Sequence, residues 1–478
     1  YMYADIENAQ TVVIWGANPA TDTPPTSFKR VLDARRRGAK IIVIDPRRTS
    51  IARLEDVDWV PIRPGTDGAL ALGLCTVLIR EELFDSEFVE NWTVGFEEFS
   101  KYAQQFRPEI VEQITGVTAE KVVELAKLIA DSDGAAPLMY TGLEYTNSGV
   151  QNIRAVFTFW ALAGQLDVPG GYCFNIKSEL FNVNKESSLR NPDLNNAVGT
   201  DRFPLYSFYR GESHGISLPE SVLEGKPYKI RTLIIHGGSL VTAWPEPHIW
   251  RNTLNELDFL AVIDRQLTAD SAYADIVLPA TTMFEIRSYK KYGSLFRIRE
   301  KVIEPVGEAR NDYRIVTGLA ERLGYGDIFP KTEDEMLEYV LKGTGFRLED
   351  VENNGGTAQM KQSQTQYKKW NKALLRDDGK LGFDTPSGKF EIASSILHEY
   401  GYDALPVYEE PTESPVSQPE LFKKFPLIFN SGARVSTDFR SQHHGIKGLL
   451  KERPEPTVMI NEEDAADRNI KNGDEVYI

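Results

Sequence analysis

One supersecondary phrase occurs twice in this chain, and the repetition restricts the fold more than any other feature. The first copy reads TVVIWGANPATDTPP, an amphipathic stretch, KIIVIDPRR and then DVDWVPIRPGTD. The second reads RTLIIHGGSLVTAWPE, an amphipathic stretch, DFLAVIDRQ and then YADIVLPATT. Each runs strand, Gly loop, helix, strand closed by Asp, and a short strand closed by Pro. The interval from Gly16 to Asp45 nearly equals that from Gly237 to Asp264. A strand entering a Gly loop and a helix leaves backbone N–H groups where a phosphate can sit. An Asp ending the next strand is placed to accept from a ribose or a base. Two copies imply two nucleotide-like ends to hold.

Composition narrows the partners. A formal charge of −16 argues against nucleic acid as the main partner, since that needs a basic surface, although one bound nucleotide requires only a local arginine pair and a helix N-terminus. A hydrophobic fraction of 41% and a charged fraction of 26% are those of a globular chain, and 478 residues predict about three domains. The longest apolar run, Ala155–Gly164, is too short to span a bilayer, so no direct membrane insertion is expected. Cys75 sits in ALALGLCTVLI, a buried-helix pattern, and Cys173 is the only other cysteine. Two cysteines build neither a disulfide framework nor a cysteine-ligated cluster. The six histidines show no zinc spacing, and no metal ligand is assigned. The chain opens at Tyr1 and reaches a strand within a few residues, which reads as a start inside a longer polypeptide.

From Gln10 to about Tyr172, strands are expected at Thr11–Trp15, Lys40–Ile44, Asp58–Ile62 and Pro137–Tyr140. Amphipathic helices are expected at Ser27–Arg37, Gly68–Glu81 and Thr118–Ser132, the last capped by Thr118. Short β-branched strands between helices predict a parallel sheet covered on both faces. An almost wholly apolar helix follows at Ile153–Leu166. Phe174–Lys226 is irregular, and the α/β pattern resumes at Arg231–Ile235 and runs to about Gly326. Phe346–Gly382 is polar and is not expected to contribute to a core, while Glu409–Gln418 reads as a linker. PLIFNSG and PTVMI are strand signals, Asn461–Asn469 a short helix, and NGDEVYI a turn and a strand.

The segments WGANPA, IDPRRT, RPGTDGALALG, LAGQLDVPGG, ADIVLPATTMFE, FDTPSGKFEI and SGARVSTDFRSQHH, in that order, resemble the molybdopterin oxidoreductase family of the dimethyl-sulfoxide-reductase type over essentially the whole chain. The resemblance implies a bis(molybdopterin guanine dinucleotide) cofactor carrying Mo or W, held by two related α/β domains. It places an iron–sulfur cluster and the metal's protein ligand in an N-terminal part ahead of Tyr1, and a C-terminal β-barrel over the pterins. The fold class expected is therefore α/β: two related doubly wound, mainly parallel-sheet domains, followed by the truncated start of a β-barrel. The expected division is residues 1–172 and 173–335 for the two nucleotide domains, 336–420 for an irregular connection, and 421–478 for the barrel's beginning.

Gly16, Asn18 and Pro19 form the first loop; on residue type alone they are equally an ordinary βα turn. Asp45, Arg47 and Arg48 follow the second strand, where a guanidinium pair suits phosphate; otherwise they are a cap and two solvated cations. Gly65, Thr66 and Asp67 resemble the family's guanine-reading turn, Asp67 accepting from the base, and also suit a capped helix start. Gly142 and Glu144 resemble a pterin-side loop. In the second copy Gly237 and Gly238 take the phosphate-loop position, and Asp264, Thr268 and Asp275 flank the second guanine site, with Asp275 equally a cap. His236 reads as a strand-end histidine, and Glu285 follows the ATTM loop with no role assigned. Gly432, Arg434, Ser441, Gln442 and His443 resemble the barrel loop that approaches the pterins. Formate-oxidising members carry an arginine soon after the PGG-like stretch; FNIKSELFNVN stands there instead and argues against formate.

The resemblance implies the cofactor-binding core of a molybdenum or tungsten oxidoreductase, performing oxygen-atom or hydride/electron-pair transfer on a small molecule in anaerobic respiration, with an iron–sulfur electron-transfer subunit as partner. As given, the chain is expected to be inactive alone. The alternative is a non-catalytic homologue within a larger electron-transfer complex. The compartment stays open between cytoplasm and export on a twin-arginine signal.

Overall fold

The computed structural model describes residues 2–21, 25–175, 196–361, 364–431 and 445–478, with positions 183, 194, 435, 437 and 443. Strand β1 (Met2–Ala4) leads into β2 (Thr11–Trp15), β3 (Lys40–Ile44) and β4 (Val57–Val60). The two-residue β5 (Thr93–Val94) lies outside this sheet, which β6 (Ala135–Met139) completes in the parallel order β4-β3-β2-β6. Alternate residues of a strand face opposite sides, and two cores result. Val12, Ile14, Ile41 and Val43 cluster with Val31 and Ala34 of the helix Pro25–Arg36. Val13, Trp15, Ile42 and Ile44 cluster with the helix Asp67–Arg80, which is buried along nearly its whole length. That double covering is why the strands read as unbroken apolar runs.

Strand β7 (Tyr172–Phe174) pairs antiparallel with β1. The second sheet holds β8 (Thr232–His236), β9 (Phe259–Asp264) and β10 (Ile276–Pro279), all parallel in the order β10-β9-β8. Its registers reproduce those of the first. Trp15 pairs with Ile44 and Ile44 with Val60; His236 pairs with Ile263 and Ile263 with Leu278. The repeat seen in sequence is thus a repeat of strand register. Val241, Trp250 and Leu254 cover one face through Ile235, Leu260 and Val262. An antiparallel sheet follows, β11 (Ser288–Tyr292), β12 (Leu295–Arg299) and β13 (Thr357–Gln359), while β14 (Phe390–Glu391) pairs parallel with β5.

Most elements of the first unit lie within a few residues of their expected places, and Thr118 caps the helix Ala119–Ala130 by accepting from Lys121 N. The expected Ile153–Leu166 helix runs from Gly149 to Leu162. Three expectations fail. Phe346–Gly382 does contribute to cores: Leu348, Val351 and Ala358 pack under β12, and Trp370 packs with Phe88, Ala161 and Leu166. Its polar character hides a buried ion pair, Lys369 Nζ to Asp167 Oδ1 at 2.6 Å, with both side chains at most 1% exposed. Glu409–Gln418 is not a free linker either, because Glu410 forms a two-pronged pair with Arg63. Finally, no strand occurs among the described residues of 421–478, which hold the short helices Lys447–Glu452 and Glu462–Asp467. Strand signals need a partner strand to complete a ladder, and none occurs among the described residues there. The chain divides into two compact units, Tyr1–Gly432 and Ala433–Ile478. No helix among the described residues is long and apolar enough to cross a membrane.

Candidate functional site

The carboxyl edge of the first sheet gathers most of the residues singled out there. Gly16 leaves β2 with φ +59° and donates its N–H to Ile44 O at 3.0 Å. Gly142, just past β6, donates to Gly16 O at 2.9 Å, and a Cβ on Gly142 would stand 2.6 Å from Gly16 Cα. The two loops meet backbone to backbone, which only glycine permits. Beyond β3, Asp45 Oδ1 accepts from Arg47 N at 2.8 Å and Asp45 O from Trp59 Nε1 at 2.9 Å. The Arg48 guanidinium lies over the Trp59 ring. Among the described residues neither Arg47 nor Arg48 has a carboxylate partner, which leaves two cations at the edge for an anion. Asn18 and Pro19 stand in the same loop, Asn18 O accepting from Thr21 N. Glu144 closes the short helix that Gly142 begins within.

Asp67 is the carboxylate of this edge whose burial most perturbs it. It opens the helix Asp67–Arg80, is 5% exposed, and accepts from Trp15 Nε1 at 2.8 Å and from its own backbone N–H. Burial lifts its carboxyl to about 6; the Trp15 donor opposes the rise and the neighbouring Asp45 charge adds to it. A buried acid without a cationic partner is suited to a ligand that brings its own N–H donors. From sequence Trp15 reads only as a strand residue; nothing in its spacing announces the bond to Asp67.

At the second sheet's carboxyl edge, Gly237 repeats the geometry of Gly16, with φ +62° and its N–H on Ile263 O at 3.0 Å. Side chains built on Gly237 or Gly238 would meet nothing within 4 Å, so the loop faces open space. Asp264 Oδ1 accepts from Arg265 N, and Thr268 N donates to Ser271 Oγ. Three residues not foreseen from sequence stand here. Asp270 Oδ1 accepts from Leu240 N and Val241 N, and Asp270 Oδ2, Ser239 Oγ and Thr281 Oγ1 are buried with no protein partner. Ser239 follows the Gly pair directly and was findable by position; Asp270 was not. Asp275 belongs elsewhere: Asp275 Oδ2 accepts from Leu260 N at 2.7 Å, which ties it to the amino end of the sheet as a backbone cap. His236 Nε2 meets Asp312 Oδ1 at 2.7 Å. Glu285 is held low by the Thr282 N–H and hydroxyl and by Val306 N–H, and so is committed to shaping its own loop.

Gly432, Arg434, Ser441 and Gln442 lie outside the described residues, as does most of FNIKSELFNVN. His443 is exposed with φ +76° in the Ala433–Ile478 unit. Among the described residues no group of three His, Cys, Asp or Glu can hold a metal ion. Both cysteines are buried, and burial, with the Asp167 and Asp5 charges, pushes the Cys173 thiol up to about 12.

Two parallel sheets of matching register each present a glycine loop and acceptor side chains at the carboxyl edge, where open α/β sheets take their ligands. The chain belongs to the molybdopterin oxidoreductase family, whose family model matches residues 2–322. It is 29% identical to the acetylene hydratase of Syntrophotalea acetylenica, across 100% of this chain and 68% of that protein. It is 32% identical to the probable oxidoreductase YoaE of Bacillus subtilis, across 99% and 67%. The solved structure of acetylene hydratase from Pelobacter acetylenicus superposes with a TM-score of 0.86 at 27% identity, covering 99% of this chain and 67% of that one. The protein is accordingly a molybdopterin-dependent oxidoreductase, with Mo or W as its metal.

Proposed function

We propose that this chain holds a bis(molybdopterin guanine dinucleotide), one nucleotide end at each sheet edge, for an oxidoreductase acting on a small molecule with an iron–sulfur subunit as electron partner. The observation that carries the reading is the repeated register: Gly16 and Gly237 make the same bond, to Ile44 and Ile263, at equivalent strand ends. The residues present fit such a group. Arg47 and Arg48 offer charge to a phosphate, Asp67 offers an acceptor to a base, and Ser239, Thr281 and Asp270 hold unpartnered oxygens beside an open loop. When bound, the metal supplies two-electron chemistry. The chain's own residues anchor the nucleotide ends, exclude water from Asp67 and fix the loops by Gly16–Gly142 contact. Acid hydrolysis of the purified native protein should release two GMP for each Mo or W. Release of pterin without GMP would remove the guanine assignment, and native protein with neither metal nor pterin would favour the non-catalytic homologue.

A further inference from the structure

The segment 403–414 is tied to the helices Phe96–Ala103 and Gly149–Leu162 and, through Glu410, to the turn that follows β4 at the carboxyl edge of the first sheet. Gln151 Nε2 and Arg154 Nη2 donate to the carbonyls of Asp403 and Ala404 at 3.2 and 2.5 Å. Tyr408 N donates to Tyr102 Oη at 2.9 Å, and the Tyr408 ring stands edge-on to Phe106. Glu410 then receives four donors: Arg63 Nη1 at 2.6 Å and Nη2 at 2.9 Å, Tyr408 Oη at 2.6 Å and Ser414 Oγ at 2.5 Å. Burial alone would lift this carboxyl; the Arg63 fork, with Ser414 and Tyr408, holds it down at about 2. Arg63 is itself fixed, its Nε donating to Ile114 O at 2.7 Å and its carbonyl accepting from Thr66 Oγ1 at 2.7 Å.

The placement of this strap matters more than its strength. A Cβ on Gly65 would stand 2.7 Å from Pro411 Cγ, and one on Gly68 would stand 3.6 Å from Tyr408 Cδ2. Pro411 and Tyr408 therefore cover the two glycines that bracket Thr66 and Asp67, which are 0% and 5% exposed. The second sheet manages the equivalent stretch locally, through Glu285 on Thr282 and Val306. At the first edge the closure comes from a remote part of the chain, and at Pro411 it is anchored by one charge pair, Arg63 with Glu410.

We infer that residues 408–414 form the closing wall of the first nucleotide site, and that Arg63 and Glu410 are positioning residues whose pairing latches the wall over the Gly65–Asp67 turn. This rests on the reading of Asp67 as a guanine acceptor. Entry and loss of that nucleotide end then require the pair to part.

The test uses native protein carrying its cofactor. Glu410→Gln keeps the shape and removes the charge, Arg63→Lys keeps the charge and removes the fork, and Tyr408→Phe removes one donor from Glu410 should either charge variant fold poorly. Loss of bound guanine is followed on dialysis as GMP after acid hydrolysis, and melting temperatures are taken with and without cofactor. Glu410→Gln should speed the loss of about half the GMP by about tenfold or more, as losing a charge-assisted hydrogen bond implies, with Arg63→Lys intermediate and Tyr408→Phe weaker. The loaded form should lose more melting temperature than the empty form, because weakened binding subtracts from ligand stabilisation. Equal losses in both forms with unchanged GMP release would reduce the pair to a fold contact and overturn the proposal. Wild-type protein that holds pterin but no guanine overturns the guanine reading along with it, whereas guanine held and released alike in all variants overturns the latch alone.

Discussion

Asp67 carries a measurable cost to folding, set by its burial. Burial lifts its carboxyl from 3.8 to about 6, so the folded chain binds this proton more tightly than the unfolded chain does. Stability from this group is therefore present at low pH, declines as pH rises from about 4, and is gone above about 6. The difference between 3.8 and about 6 corresponds to roughly 3 kcal/mol of cost in the empty protein at neutral pH. Asp67→Asn keeps an oxygen for Trp15 Nε1, now at 2.8 Å from Asp67 Oδ1, and removes the charge. The new amide N–H group costs about 1 kcal/mol if incompletely paired, which leaves the variant about 2 kcal/mol more stable than wild type at pH 7.5 and no more stable near pH 4. Urea unfolding of cofactor-free protein measures this, and the difference between the two proteins cancels every other titrating group. Cofactor retention should move the opposite way: without the carboxylate, a guanine loses its charge-assisted acceptor and about tenfold or more in affinity, with substrate preference unchanged. A stability difference that does not vary with pH, or an Asn variant weaker than wild type at pH 7.5, would refute the reasoning.

Three further outcomes are expected. Lys369→Met strands the Asp167 carboxylate in the core and should cost about 3–5 kcal/mol in urea unfolding; a cost under about 1 kcal/mol would show that the pair is not closed to water. Gly142→Ala places a methyl 2.6 Å from Gly16 Cα and should cost about 1–3 kcal/mol along with cofactor, whereas Gly238→Ala meets nothing and should stay within about 0.5 kcal/mol, so any cofactor it loses reports ligand contact directly. Asp275→Asn should lower stability and leave bound GMP unchanged, and Asp264→Asn should do the reverse; GMP loss from the Asp275 variant would place that residue back in the site.

The parts of this molecule that could be read in advance are those whose causes are local. TVVIW and KIIVI are strands because both faces are buried, and Thr118 caps its helix because its hydroxyl reaches Lys121 N three residues on. The glycine loops were legible for the same reason, since a positive φ at Gly16 and Gly237 is demanded by the turn itself. What resisted reading is every contact whose partner lies far along the chain. Lys369 and Glu410 sit in polar stretches that resemble solvated connections, yet Lys369 is buried against Asp167 and Glu410 is half-buried against Arg63. Asp275 and Asp67 show the same difficulty at closer range. Both precede or begin an element and both resemble caps, yet one tethers the amino end of a sheet and the other is buried at the carboxyl end of its neighbour. Residue type cannot separate them, because the distinguishing quantity is which end of the parallel sheet each occupies. Physical cost separates them instead. Asp275 is satisfied by Leu260 N–H where it stands, so the fold alone accounts for it, whereas Asp67 is kept buried beside a like charge with no cationic partner, at an expense to folding that a ligand's donors would offset.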